Sequence, residues 1–175
     1  MKSILTVENT IEQVIQTEIK ELVYYKGAPY VKFLLLSIAV EFLGACMDKH
    51  DFQDHQQSLI RFNKALKKLF PKKYHKYAKK DSDINLFKDL RSGMIHKLSP
   101  LTQRIKLTER RHLKKGQDIN MKEDNNGNLF IVLEDFYDDI DNACEKLKRI
   151  NKAGSLPTKK MEQDYIMVSK NILKK

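Results

Sequence analysis

A chain of 175 residues with 41% hydrophobic and 32% charged side chains has the length of one ordinary domain and enough apolar material for one core, which excludes a multidomain machine and global disorder. The 33 Lys+Arg against 23 Asp+Glu leave a formal net charge of +10, a balance that favours polyanions as partners and says nothing about fold. The longest apolar run, residues 33–40, falls well short of the ~20 residues of a membrane-spanning helix. Glu8 and Glu12 interrupt the stretch where an export signal would be apolar, so a cytoplasmic protein without membrane contact is the expectation.

Leu5, Ile11, Ile15, Ile19, Leu22 and Val23 recur at three- and four-residue spacing and predict an amphipathic first helix ending at Lys26-Gly27. Pro29 opens a second helix to about Asp48, apolar around most of its circumference and therefore central. Asp51 is the expected cap of a third helix carrying Leu59, Phe62, Leu66 and Leu69, which Pro71 ends or kinks before a basic segment over residues 72–80. Asp81-Ser82-Asp83 is the expected cap and first-turn acid of a fourth helix over residues 84–98, closed by Pro100. Residues 104–108 then alternate, and residues 119–122 and 129–133 flank Asn125-Asn126-Gly127, a strong hairpin signal. Phe136, Ile140, Cys144 and Leu147 restore helical spacing up to a linker over residues 151–157. In the tail, Met161, Tyr165, Val168 and Ile172 suit either a short docking helix or a frayed basic end. The sum is a mainly α, up-and-down helical bundle over residues 1–153, with a small β-hairpin inserted near 104–133 and a basic C-terminal tail over 154–175.

Cys46 and Cys144 sit far apart within helical patterns, which suits buried thiols better than a disulfide or a zinc site. His50 with Asp54, and Asp51 with His55, are spaced i, i+4, but the two pairs point ~100° apart on a helix, so capping acids beside exposed histidines are expected rather than a metal. Glu134, Asp135, Asp138, Asp139 and Asp141 likewise complement a helix start. There is no Gly-rich phosphate loop, nucleophile elbow or Cys/His zinc spacing, and no metal or cofactor is expected. Glu41 interrupts the apolar second helix; exposure at the helix edge is the simpler reading, and burial against an arginine the other.

Charge is segregated along the chain. Residues 61–80 hold nine basic residues and no acid, with Phe70, Tyr74, His75 and Tyr77 interleaved, as a groove tracking a phosphodiester backbone would require. Arg61, Lys64, Lys68, Lys72, Lys73, Tyr74, Lys76 and Lys97 are the candidate nucleic-acid contacts. A solvated helix face whose aromatics pack inward is the competing reading.

The stretch Leu90-Arg91-Ser92-Gly93-Met94-Ile95-His96 places an arginine and a histidine five residues apart in the fourth helix, with a glycine that suggests close approach of another backbone. The two side chains are ~140° apart on an ideal helix, so a twofold dimer would aim them at one phosphate better than a single chain. This stretch resembles the Arg-x4-6-His motif of the HEPN superfamily, and the apolar helix over residues 33–44 is similar to an early helix of several bacterial members. The resemblance covers approximately residues 30–100 and the returning helix over 135–150. It implies a helical bundle, often homodimeric, and in active members a metal-independent endoribonuclease of defence or toxin type. Carried over, Arg91 would neutralise the scissile phosphate and His96 would act as general acid or base, while the RNA 2′-hydroxyl attacks to leave a 2′,3′-cyclic phosphate. Ser92 stands where active members often have Asn, Asp or His, and Leu98 where a toxin subgroup has a modifiable tyrosine. RNA, a second copy of the chain and an antitoxin or regulatory protein are the partners implied. Non-catalytic members exist as binding modules, and in such a module Arg91 would tie helices together, with Glu41 as its partner.

Overall fold

The computed structural model describes residues 3–54, 56–157 and 162–165 and is mainly helical with two small sheets. After strand β1 (Ser3–Thr6), the first helical passage runs through α1 (Val7–Thr10), a π-helical stretch (Ile11–Ile19) and α2 (Lys20–Tyr24). The Thr6 side chain caps it by accepting from the Asn9 N–H at 3.1 Å. Its buried positions, Val7, Ile11, Ile15, Ile19 and Val23, recur every four residues. On a 3.6-residue helix that spacing drifts ~40° per step, and the wider turn of the π stretch takes up the drift. The Thr17 hydroxyl donates to the Glu12 carbonyl five residues back, at 2.8 Å.

Helix α3 (Pro29–Cys46) starts on Pro29, as the sequence predicts, and forms the centre of the core. Among the described residues it is the one helix long and apolar enough to cross a membrane, and 56% of it is buried inside the fold. It packs on α4 (Ser58–Lys68) and on α6 (Leu133–Lys152). Gly44 sets the first of these contacts: an ideal Cβ there would lie 1.8 Å from the Arg61 carbonyl oxygen. Lys32 is 1% exposed, and its Nζ donates to the Val23 carbonyl at 3.1 Å and the Tyr25 carbonyl at 2.5 Å, both at the end of the first helical passage. Glu109, at 3.4 Å, balances the charge. A cation at a helix C-terminus also opposes the negative end of the helix dipole.

Two caps fall elsewhere than the sequence suggests. Helix α4 starts at Ser58 rather than after Asp51, because the intervening loop is drawn onto the Arg61 guanidinium through the Asp51 and Phe52 carbonyls. Beyond Pro71 lies a short 3-10 helix (Lys72–Ala78). The fourth helix is capped by Asn85, whose side chain accepts from the Lys88 N–H at 2.9 Å, so Asp81-Ser82-Asp83 stay in the preceding turn. That helix runs through a second π stretch (Leu86–Ser92) into α5 (Gly93–Lys97), again with buried positions four apart at Leu86, Leu90 and Met94.

The insertion is a correction of the hairpin. Strand β2 (Ile105–Thr108) pairs in parallel with β3 (Leu129–Val132), Ile105 opposite Leu129. The Asn-Gly turn does form, with Gly127 at φ 72° and its N–H donating to the Asp124 carbonyl. Antiparallel pairing across the turn is limited to a bridge between Glu123 and Leu129 and to backbone bonds joining Met121 and Lys122 to Phe130, and residues 119–122 make no strand: Met121 takes φ 60°, and the buried Asn120 side chain accepts from the Val132 N–H in place of a ladder bond. Strand β4 (Glu162–Tyr165) pairs antiparallel with β1, so this part of the tail is a strand and not a helix. The remainder of residues 158–175 lies outside the described residues. Cys46 and Cys144 are buried and form no disulfide, and burial raises the Cys144 pKa.

Gly44→Ala forces α3 and α4 apart and is expected to cost about 3 kcal/mol, read as a lower urea midpoint at unchanged slope. Burial would raise the pKa of Glu109, but hydrogen bonds from Arg111 and Lys32 and their charges leave it below the ordinary carboxylate value. A depressed carboxylate pKa contributes stability above the unfolded-chain value that is lost as pH falls through the folded value. Glu109→Gln should therefore melt lower than wild type at neutral pH, with the gap narrowing in acid.

Candidate functional site

Arg91 is the penultimate residue of the π stretch that Asn85 caps. Its Nη2 lies 2.6 Å from Glu41 Oε2 on α3, and each side chain is 17% exposed. Its guanidinium also stands 5.3 Å from the Phe87 ring centroid, one turn earlier, a cation–π contact that fixes the side chain against its own helix. The Arg91 Nε and Glu41 Oε2 are both buried without a well-aligned hydrogen bond among the described residues, so the pair is held by the closeness of its charges and not by a fork of hydrogen bonds. Glu41 is thus not the exposed helix-edge residue of the simpler sequence reading; it is the arginine's partner.

This pair faces an open pocket of about 330 Å³ lined also by Ile38, Phe42, Ala45, Phe52, Arg61 and Ile95. The lining mixes two arginines and one carboxylate with an apolar rim. Ser92 is half-buried and His96 is exposed on the last turn of α5, beside the exposed Lys97. His96 does not line the pocket, so within one chain the structure does not bring it together with Arg91 there. The helix ends at Leu98, in the left-handed region at φ 56° and 62% exposed. The close approach expected at Gly93 is real and lies within the chain: an ideal Cβ would meet the Ser99 carbonyl oxygen at 2.5 Å and the Leu101 nitrogen at 2.6 Å. The Leu101 N–H donates back to the Asp89 carbonyl at 2.7 Å, which seats the turn after α5 against the motif.

The candidate nucleic-acid contacts divide sharply. Arg61 is 5% exposed and holds Asp48 through Nε at 2.6 Å; it binds helix to loop and offers nothing to a phosphate. Tyr74 is fully buried, with its hydroxyl donating to Asp139 at 2.7 Å, and burial together with Asp139 raises its pKa. Base stacking on Tyr74 is therefore corrected to core packing between Phe70 and Phe136. Lys64 is half-buried and donates to the Met47 carbonyl. Lys73 pairs with Asp139 and Lys76 with Glu123. Lys68, Lys72 and Lys97 remain exposed. The aromatics of residues 70–77 pack inward, as the competing reading of that segment had it.

Among the described residues no group of three or more metal-binding side chains converges. His50 and Asp54 do pair at 3.2 Å, both about half exposed, and His55 lies outside the described residues. Sequence reasoning missed Asp48 as the partner of Arg61. The only available signal was Asp48 at the end of the apolar helix, ahead of the first arginine of the basic run. No family model matches the chain, and no curated protein and no solved structure is significantly similar to it.

The two arginines should respond differently to truncation. Arg61→Ala leaves Asp48 buried without its cation and is expected to cost about 3–5 kcal/mol. For Arg91 and Glu41, a double-mutant cycle in urea should return a smaller coupling of about 1–2 kcal/mol.

Proposed function

We propose that the chain is a HEPN-like helical protein that acts on RNA as a metal-independent endoribonuclease of defence or toxin type, working as a homodimer. The observation that carries this reading is the placement of Arg91: a side chain that lines an open pocket, held there by Glu41 and still 17% exposed. Arg61, which lines the same pocket, is by contrast only 5% exposed, with its guanidinium taken up by Asp48 and by the Asp51 and Phe52 carbonyls. An arginine in the position of Arg91 can take a phosphate oxygen and stabilise the charge that develops there, while an exposed histidine moves the proton of the attacking 2′-hydroxyl or of the leaving oxygen.

The pocket's surroundings favour a second copy as the source of the missing histidine. Ile38 on its lip is 44% exposed, Val31 one heptad earlier is 48% exposed, and Leu98 and Leu101 after the motif are 62% and 41% exposed. Exposed apolar side chains on α3 beside the pocket and on the turn after α5 are surface that a twofold interface would cover. An antitoxin or regulatory protein is a further partner on this reading, and the cytoplasm the compartment.

The other reading, a non-catalytic module that binds nucleic acid or a protein, is favoured by one observation: Glu41 already neutralises Arg91. The two separate in one assay. Purified protein is incubated with single-stranded and structured RNAs in the presence of chelator. Wild type should leave 2′,3′-cyclic phosphate ends, and Arg91→Ala and His96→Ala, checked for folding, should each lower the rate by about a hundredfold or more. Wild type and variants equally inert across substrates would leave the binding module.

A further inference from the structure

At the other end of α3 lies a cluster that the motif does not use. Tyr25 is 67% and Tyr30 55% exposed, and Tyr30 lines a slot of about 110 Å³ with Pro29, Phe33, Leu107, Glu109 and His112. That volume has room for a planar ring and none for a folded segment. The following turn is strongly basic: Arg110, Arg111, Lys114 and Lys115 are all exposed; Arg110 pairs with Asp135, while Lys114 and Lys115 make no ion pair among the described residues. Its acid, Glu109, is buried and already engaged by Lys32 and Arg111. The chain is held here by the Lys32 clasp, whose Nζ bridges the Tyr25 carbonyl and Glu109, so the tyrosines and the basic turn are fixed side by side.

We propose that this slot binds an unstacked base of single-stranded RNA, between Tyr30 and His112, with the backbone held by the basic turn over residues 110–115. Aromatic faces accept any base, and lysine and arginine beside them supply the sequence-independent attraction to phosphate. The surface is complementary in charge to a polyanion and too small in apolar area for a protein helix. Tyr30 and Glu41 are eleven residues apart, which on a regular helix places them within about 20° of one face and about 16 Å along the axis. A strand seated in the slot therefore runs toward the Arg91 pocket. Only that last link rests on the ribonuclease reading; the slot itself does not.

The test uses the full chain carrying His96→Ala, so that bound RNA persists, and a fluorescein-labelled single-stranded RNA read by anisotropy, beside the same sequence as a duplex. Single strands should bind more tightly than duplex. Tyr30→Ala should weaken binding about tenfold, and Lys114→Glu with Lys115→Glu should flatten the dependence of log affinity on log salt by about 1.4. Unchanged affinity in a folded Tyr30→Ala protein overturns the slot, as does equal binding of duplex. No RNA binding at low salt also overturns it and leaves the patch to a protein partner. Loss of cleavage in Arg91→Ala with unchanged affinity in Tyr30→Ala removes the slot and keeps the ribonuclease; the opposite pair of results does the reverse.

Discussion

Because Gly44 carries no Cβ, the α4 backbone reaches α3 at the carbonyl of Arg61, and that approach decides where the Arg61 side chain must go. It cannot point to solvent across a contact this close, so it turns along the interface to Asp48 at the end of α3 and to the carbonyls of the following loop. The loop in turn brings Phe52 against Phe42, rings nearly parallel with centroids 5.7 Å apart. Phe42 and Phe52 then form part of the wall of the Arg91 pocket. One missing methyl group thus shapes a site on a helix that comes thirty residues after α4 begins.

The same helix carries a polar fastening at its start, another in its second half and a third just past its end. Lys32 ties its start to the end of the first helical passage and to Glu109; Glu41 ties its second half to Arg91; Asp48, just past its end, ties it to Arg61. Apolar side chains alone would let such a helix slide or rotate among near-equivalent packings. Ion pairs gain little net free energy when buried, but a misplaced one leaves a stranded charge, which penalises wrong registers far more than it favours the right one. Of the three, the Glu41–Arg91 pair is the most open, each side chain being 17% exposed against 7% or less in the other two. Its charge is therefore the one of the three that a ligand can best reach.

Helices, their order and the centrality of α3 were legible because apolar periodicity records burial directly: Pro29, Leu36, Val40 and Leu43 announce a core helix before any contact is known. The partnership of Arg91 with Glu41 was legible as an alternative, since an acid in an apolar run needs an explanation. What was not legible depends on contacts distant in sequence. Asn125-Asn126-Gly127 encodes a chain reversal and does reverse the chain, with Glu123 bridging Leu129 across it; the antiparallel pairing stops there because Met121 leaves the extended region and Asn120 takes over one ladder bond, and the longer ladder of β3 is the parallel one to residues 105–108. Tyr74 looked like a stacking platform because its neighbours are lysines; Asp139 on α6, sixty-five residues on, accepts its hydroxyl and draws it inside.

That last case bears on how the net charge should be read. The acids of α6 and of the preceding turn are only partly taken up by cations: Asp135, Asp139 and Glu123 lie against Arg110, Lys73 and Lys76, while burial and the like charges of Asp135, Asp139 and Asp141 raise the pKa of Asp138. Pairing of this kind screens both basic runs in part: Lys73 and Lys76 are taken up in the first, and Arg110 and Arg111 in the second by Asp135 and Glu109. Exposed lysines remain on each, Lys67, Lys68, Lys72, Lys79 and Lys80 on the first and Lys114 and Lys115 on the second. What distinguishes the second is its setting, since it follows His112, which shares a slot with the exposed Tyr30, whereas the aromatics of the first are drawn into the core. Attraction to a polyanion follows the local field and not the number of lysines in a segment.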